Sequence, residues 1–65
     1  MIVVVNEKKV EVDEQTTVAA LLELLGFPDR GIAVAMDSSV VPRSHWTTKL
    51  FDGARLEVVT AVQGG

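Results

Sequence analysis

One stretch of this 65-residue sequence carries a clear helical period, and the runs around it read as short strands. Val18, Leu21, Leu22 and Leu25 stand at i, i+3, i+4 and i+7, a single apolar stripe on a period of 3.6. Thr16 or Thr17 can cap the first turn through its hydroxyl, and Asp13 and Glu14 sit near the positive end of the dipole. Gly26 followed by Phe27 and Pro28 is a stop: a left-handed position, then a residue that cannot continue a helix. A helix of two to three turns is unstable in isolation. It must lie on a sheet.

The flanking runs supply that sheet. Residues 1–5 are apolar and β-branched, residues 6–9 are polar and turn-like, and residues 10–13 alternate, which together read as an antiparallel hairpin. The connector has no Asn-Gly or Asp-Gly pair, so its sequence does not call for a two-residue turn. Residues 32–36 form a third strand, ended by Asp37, Ser38 and Ser39, and Val40 and Val41 form a short fourth. Residues 42–46 read as a turn or single helical turn with Pro42 at its start. Residues 49–51 are a further short extended piece, Asp52-Gly53 is a turn, and residues 54–62 make the last long strand. The expected fold is α+β, one helix packed across one face of a small mixed sheet, with the first and last strands central. Residues 1–60 would be the domain and residues 61–65 a flexible tail.

Size and charge narrow the function. A chain of 65 residues is one domain, with little room for a substrate cavity beside its core, which favours a carrier or binding module over a self-sufficient enzyme. There is no cysteine, hence no disulfide scaffold, cysteine-based zinc site or thiol nucleophile. The net charge of −3, with six scattered basic residues, argues against nucleic-acid binding. No apolar run approaches a membrane span and no signal peptide is evident, so the cytoplasm is the expected location and a monomer the expected free form.

Few side chains suggest chemistry. Gly26 and Gly31 have the spacing of a phosphate loop, but Ile32 and Ala33 stand where Lys and Ser or Thr would be needed, and the segment follows a helix instead of a strand. His45 has no carboxylate cluster at ligand spacing, and Ser38, Ser39 and Ser44 have no local base. Trp46 plugs one end of the core with its indole N–H turned to a partner, and Arg43 can pair with an acidic group on a partner protein or stay solvated. If Val3, Val5, Leu56 and Val58 face the helix, then Ile2, Val4 and Val59 face away and form an exposed docking patch. No catalytic constellation is present.

The sequence closes on Ala61, Val62, Gln63, Gly64 and Gly65. Five extended residues reach roughly 17 Å, enough to enter a partner's cleft. The two glycines carry no Cβ, so the tail is thin, and its useful group is the Gly65 carboxylate. A carboxylate is a poor electrophile until adenylation gives it a leaving group. A frayed terminus is the plain alternative.

Three stretches resemble the ThiS-type sulfur carriers of thiamine biosynthesis, within the ubiquitin-like β-grasp fold. They are Gln15-Thr16-Thr17-Val18 leading into Leu21-Leu22, residues 32–46 ending in Val41-Pro42-Arg43-Ser44-His45-Trp46, and Asp52-Gly53 leading to Gln63-Gly64-Gly65. The Val-Pro-Arg-x-x-Trp segment is the specific one. Ala54 departs from the related pattern, which often has an acidic residue after Asp-Gly. The resemblance implies a protein co-substrate that is not itself an enzyme and binds no cofactor. An E1-like adenylating enzyme would use ATP to activate Gly65. A sulfurtransferase or cysteine desulfurase would supply sulfur, and the resulting thiocarboxylate would serve thiazole synthase. Gly64, Gln63, Val62, Val59, Arg43, Ile2 and Val4 would meet these partners. The small subunit of molybdopterin synthase, a ubiquitin-like modifier and a plain interaction module remain as alternatives.

Overall fold

The computed structural model describes residues 1–60. Its elements are β1 (Ile2–Val5), β2 (Lys8–Glu11), α1 (Val18–Leu24), β3 (Ile32–Met36), β4 (Ser39–Val40), a 3₁₀ turn (Arg43–His45) and β5 (Arg55–Thr60). The sheet order is β2-β1-β5-β3-β4, so the first and last strands are indeed interior. β1 and β5 run parallel, with Val4 opposite Arg55 and Val5 opposite Leu56, and the other pairs are antiparallel. α1 crosses one face, as the two-layer expectation requires. The proposed division at residue 60 and the last two residues of the expected long strand involve positions outside the described residues.

The core follows from alternation along the strands. Val3, Val5, Val34, Leu56 and Val58 are buried from the sheet, and Val18, Leu21 and Leu22 from the helix. Val12, Trp46, Leu50 and Ala54 close its margins. The residue after the Asp52-Gly53 turn is therefore a core position: Ala54 is fully buried and its carbonyl accepts from the Val4 N–H at 2.8 Å. The departure at Ala54 therefore falls on a packed position.

The helix is short, and both its ends are tied. Thr17 is the N-cap, its Oγ1 accepting from the Ala20 N–H at 3.1 Å. The two preceding donors go to a distant segment, Val18 N–H to the Thr48 carbonyl and Ala19 N–H to the Trp46 carbonyl. The donors of Val18, Ala19 and Ala20 are thus met within the chain. Asp13 does not sit in that turn; its carboxylate accepts from the Gln15 N–H at 2.7 Å and closes a separate bend. At the other end Gly26 adopts φ +82°, Gly26 N–H bonds the Glu23 carbonyl and Phe27 N–H bonds the Leu22 carbonyl, a Schellman closure. Leu25 is the C-cap and is half-exposed, so the apolar stripe ends at Leu22.

Two hairpins correct the sequence reading. Val5 pairs with Lys8 and Met36 with Ser39, leaving two-residue turns at Asn6-Glu7 and Asp37-Ser38. All four turn residues have positive φ, between 49° and 74°. These are type I′ turns, whose twist suits tight hairpins even without glycine. The second turn also moves β4 back by one residue, so Ser39 and Val40 pair and Val41 follows.

Candidate functional site

β5 ends at Thr60, opposite Ile32 at the start of β3, and the sequence continues from there toward its terminal glycines. Val62, Gln63, Gly64 and Gly65, all expected to act in the tail, lie outside the described residues. Thr60 is the last described residue of the strand that leads toward them.

The face of the sheet away from α1 is open. Ile2 and Val59 are well exposed and Val4 partly so, as alternation required. They do not form one patch. Because β1 runs parallel to β5, Ile2 and Val4 stand at the far end of the sheet from Thr60. Val4 is opposite Arg55, four residues before Val59, which separates them by roughly 13 Å along the strand. Arg55 and Glu57 share that face of β5 and break the apolar surface between them. Beside Val59 stands Ala33, and Glu57, Ala35 and Val40 make the next row. Val40, 76% exposed, was not anticipated as a surface residue of this site. Its orientation depends on the one-residue shift of β4, which composition does not reveal.

Arg43 belongs to the other layer. Its guanidinium lies 5.1 Å from the centre of the Trp46 ring, a cation–π distance. The two residues line a groove of about 630 Å³ that also takes in Leu22, Glu23 and Phe27 at the end of the helix. Trp46 is buried, and the partner of its indole N–H is the Val41 carbonyl at 3.2 Å. The Val-Pro-Arg-x-x-Trp segment is thus first a structural latch: Trp46 binds Val41 through its side chain and Ala19 through its carbonyl.

Sequence reading overlooked Asn6, which acts beyond its turn. Its Oδ1 accepts from the Val58 N–H at 2.8 Å and its Nδ2 donates to the Val58 carbonyl at 3.1 Å. An Asn opening a two-residue turn is a recognisable local signal, but its reach to a strand 52 residues away is not. Gly26 and Gly31 hold positive φ in the connection between α1 and β3. Among the described residues no group of three or more His, Asp or Glu is placed to hold a metal, and no helix is long and apolar enough to cross a membrane.

Comparison with known proteins places this geometry. The crystal structure of a thiamine biosynthesis protein (ThiS) from Geobacter metallireducens is similar at a TM-score of 0.80 and 29% identity, covering 100% of both chains. A solution structure of a thiamine biosynthesis protein from the same organism gives 0.78 at 29% identity, covering 100% of this chain and 88% of that one. No curated protein matches the sequence. The ThiS family model matches residues 2–65, nearly the whole sequence including both terminal glycines. With a five-stranded mixed sheet and one α-helix among the described residues, a ubiquitin-like β-grasp domain, the chain belongs to the ThiS family.

Proposed function

We propose that this chain is a sulfur carrier of thiamine biosynthesis, a protein co-substrate whose reactive group is the Gly65 carboxylate. The observation that carries this reading is the family match running through Gly64 and Gly65. A carboxylate oxygen of Gly65 attacks the α-phosphorus of ATP on an E1-like adenylating enzyme and pyrophosphate leaves. A persulfide held by a sulfurtransferase or cysteine desulfurase then attacks the acyl carbon and displaces AMP. A second thiol cleaves the resulting S–S bond, leaving the thiocarboxylate on Gly65 and a disulfide on the donor side. The thiocarboxylate is the sulfur nucleophile delivered to thiazole synthase. ATP binds to the activating partner, and this chain supplies the acyl group alone.

The domain's task is presentation. The adenylating enzyme docks on the open face near Thr60, where Val59, Ala33, Ala35 and Val40 offer small apolar contacts beside Glu57. Gly64 and Gly65 pass the narrow part of the partner's cleft because neither has a Cβ, and Gly65 leaves the carbonyl open to attack.

The test is ATP-dependent pyrophosphate release in the presence of the activating enzyme. The whole chain should support release, and a chain lacking residues 64–65 should not. Gly65→Ala should slow the transfer far more than it lowers the melting temperature. Equal turnover with and without the two glycines would overturn the reading.

A further inference from the structure

We propose that Asn6 is a positioning residue for the tail chemistry, clamping the strand that leads to Gly65 through the paired hydrogen bonds of its carboxamide to Val58. The inference rests on the carrier reading above.

The clamp stands where two strands part. β1 and β5 form a parallel ladder in which Val4 N–H bonds the Ala54 carbonyl and Asn6 N–H bonds the Leu56 carbonyl at 2.9 Å. The β1-facing groups of β5 therefore belong to Ala54, Leu56 and Val58 in turn. At Asn6 the backbone adopts φ 49° and turns away into the hairpin, so it offers Val58 no further strand. The carboxamide replaces the missing backbone, accepting from the Val58 N–H and donating to the Val58 carbonyl. A planar group with one acceptor and one donor is needed for this, and a carboxamide supplies both.

The alternative explanation is that Asn6 serves its turn, since asparagine tolerates left-handed φ. The turn needs no contact with β5, however, and glycine or aspartate would meet its backbone requirement equally well. Both polar ends of the Asn6 side chain are spent on a strand remote in sequence. Val58 is two residues before Thr60, where the described strand ends. On its other side β5 is held by β3 as far as Thr60. The clamp thus holds β5 from both sides at Val58, two residues before the described strand ends. Without it the activating enzyme must order that segment on binding, which weakens the productive complex without changing the acyl chemistry.

The experiment compares Asn6→Gly, Asn6→Asp and Glu7→Gly with the parent chain. Kinetics of ATP-dependent adenylation by the activating enzyme are read beside amide hydrogen exchange at Val58, which the clamp holds, and at Val59, which faces Ala33 on β3. Asn6→Gly should raise KM for the carrier about fivefold to tenfold with kcat unchanged, and accelerate exchange at both amides. Asn6→Asp retains the acceptor for Val58 N–H and should fall between. Glu7→Gly alters the same turn but not the clamp, and should leave KM as in the parent and accelerate exchange at neither amide. Unchanged KM and exchange in Asn6→Gly would overturn the proposal, as would an equal effect from Glu7→Gly. If Asn6→Gly fails to fold, Asn6→Asp against Glu7→Gly decides. If the parent chain itself is not adenylated, the carrier reading fails, and exchange at Val59 alone judges the clamp.

Discussion

The indole N–H of Trp46 donates to the main-chain carbonyl of Val41 at 3.2 Å, while the Trp46 carbonyl accepts from Ala19 N–H at 2.9 Å. One residue thereby joins the end of β4 to the start of α1, and its ring closes the core. Trp46→Phe keeps most of the ring but leaves the Val41 carbonyl without its donor, and should cost about 1 kcal/mol. Trp46→Ala should cost about 3–5 kcal/mol. A domain of this size has roughly 3–10 kcal/mol in total, so the second change should unfold much of the population. Urea melts followed by far-UV circular dichroism check both.

The hairpin turns are improvable. Glu7 and Ser38 hold φ of 69° and 74°, a region that suits glycine and strains other L residues. Each of Glu7→Gly and Ser38→Gly should stabilise the fold by about 1 kcal/mol, or raise Tm by about 4–8 °C. A loss of stability in either would mean that its turn is not type I′.

The two helix ends should respond to substitution in opposite chemical senses but with similar size. Thr17→Ala removes the hydroxyl that accepts from Ala20 N–H and should cost about 1 kcal/mol. At Gly26 a Cβ would meet nothing within 4 Å, so the cost of Gly26→Ala is conformational alone, about 1–2 kcal/mol at φ +82°. Differential scanning calorimetry of the two variants resolves these values.

If the activating enzyme docks near Thr60, as proposed, Val59 and Ile2 should respond differently. Val59→Glu should raise KM for the carrier about tenfold in the adenylation assay. Ile2→Glu, at the opposite end of the sheet, should change it less than about twofold. Equal effects would place the partner across the whole face.

The general architecture was legible because its signals are local. The stripe through Val18, Leu21 and Leu22 and the alternation through Leu56 and Val58 identify the two faces that meet in the core. Relations between strands were less legible. Nothing in residues 1–5 says that they run parallel to residues 55–60, and that direction alone decides whether Ile2 lies beside the tail or far from it. The positive φ of Glu7 and Ser38 was hidden because neither residue favours it; the hairpin twist imposes it. Asn6 carries its turn signal openly, but its bonds to Val58 arise from tertiary register. Arg43 reads in sequence as a charge for a partner or for solvent, and its place over the Trp46 ring shows only in the folded chain.

The central claim is that the Gly65 carboxylate carries sulfur, and the intact mass of the chain after incubation with the activating enzyme, ATP and a persulfide donor tests it most directly. A gain of about 16 Da, oxygen replaced by sulfur, localised to Gly65 by fragmentation is the expected result. An unchanged mass with all three components active would contradict the account.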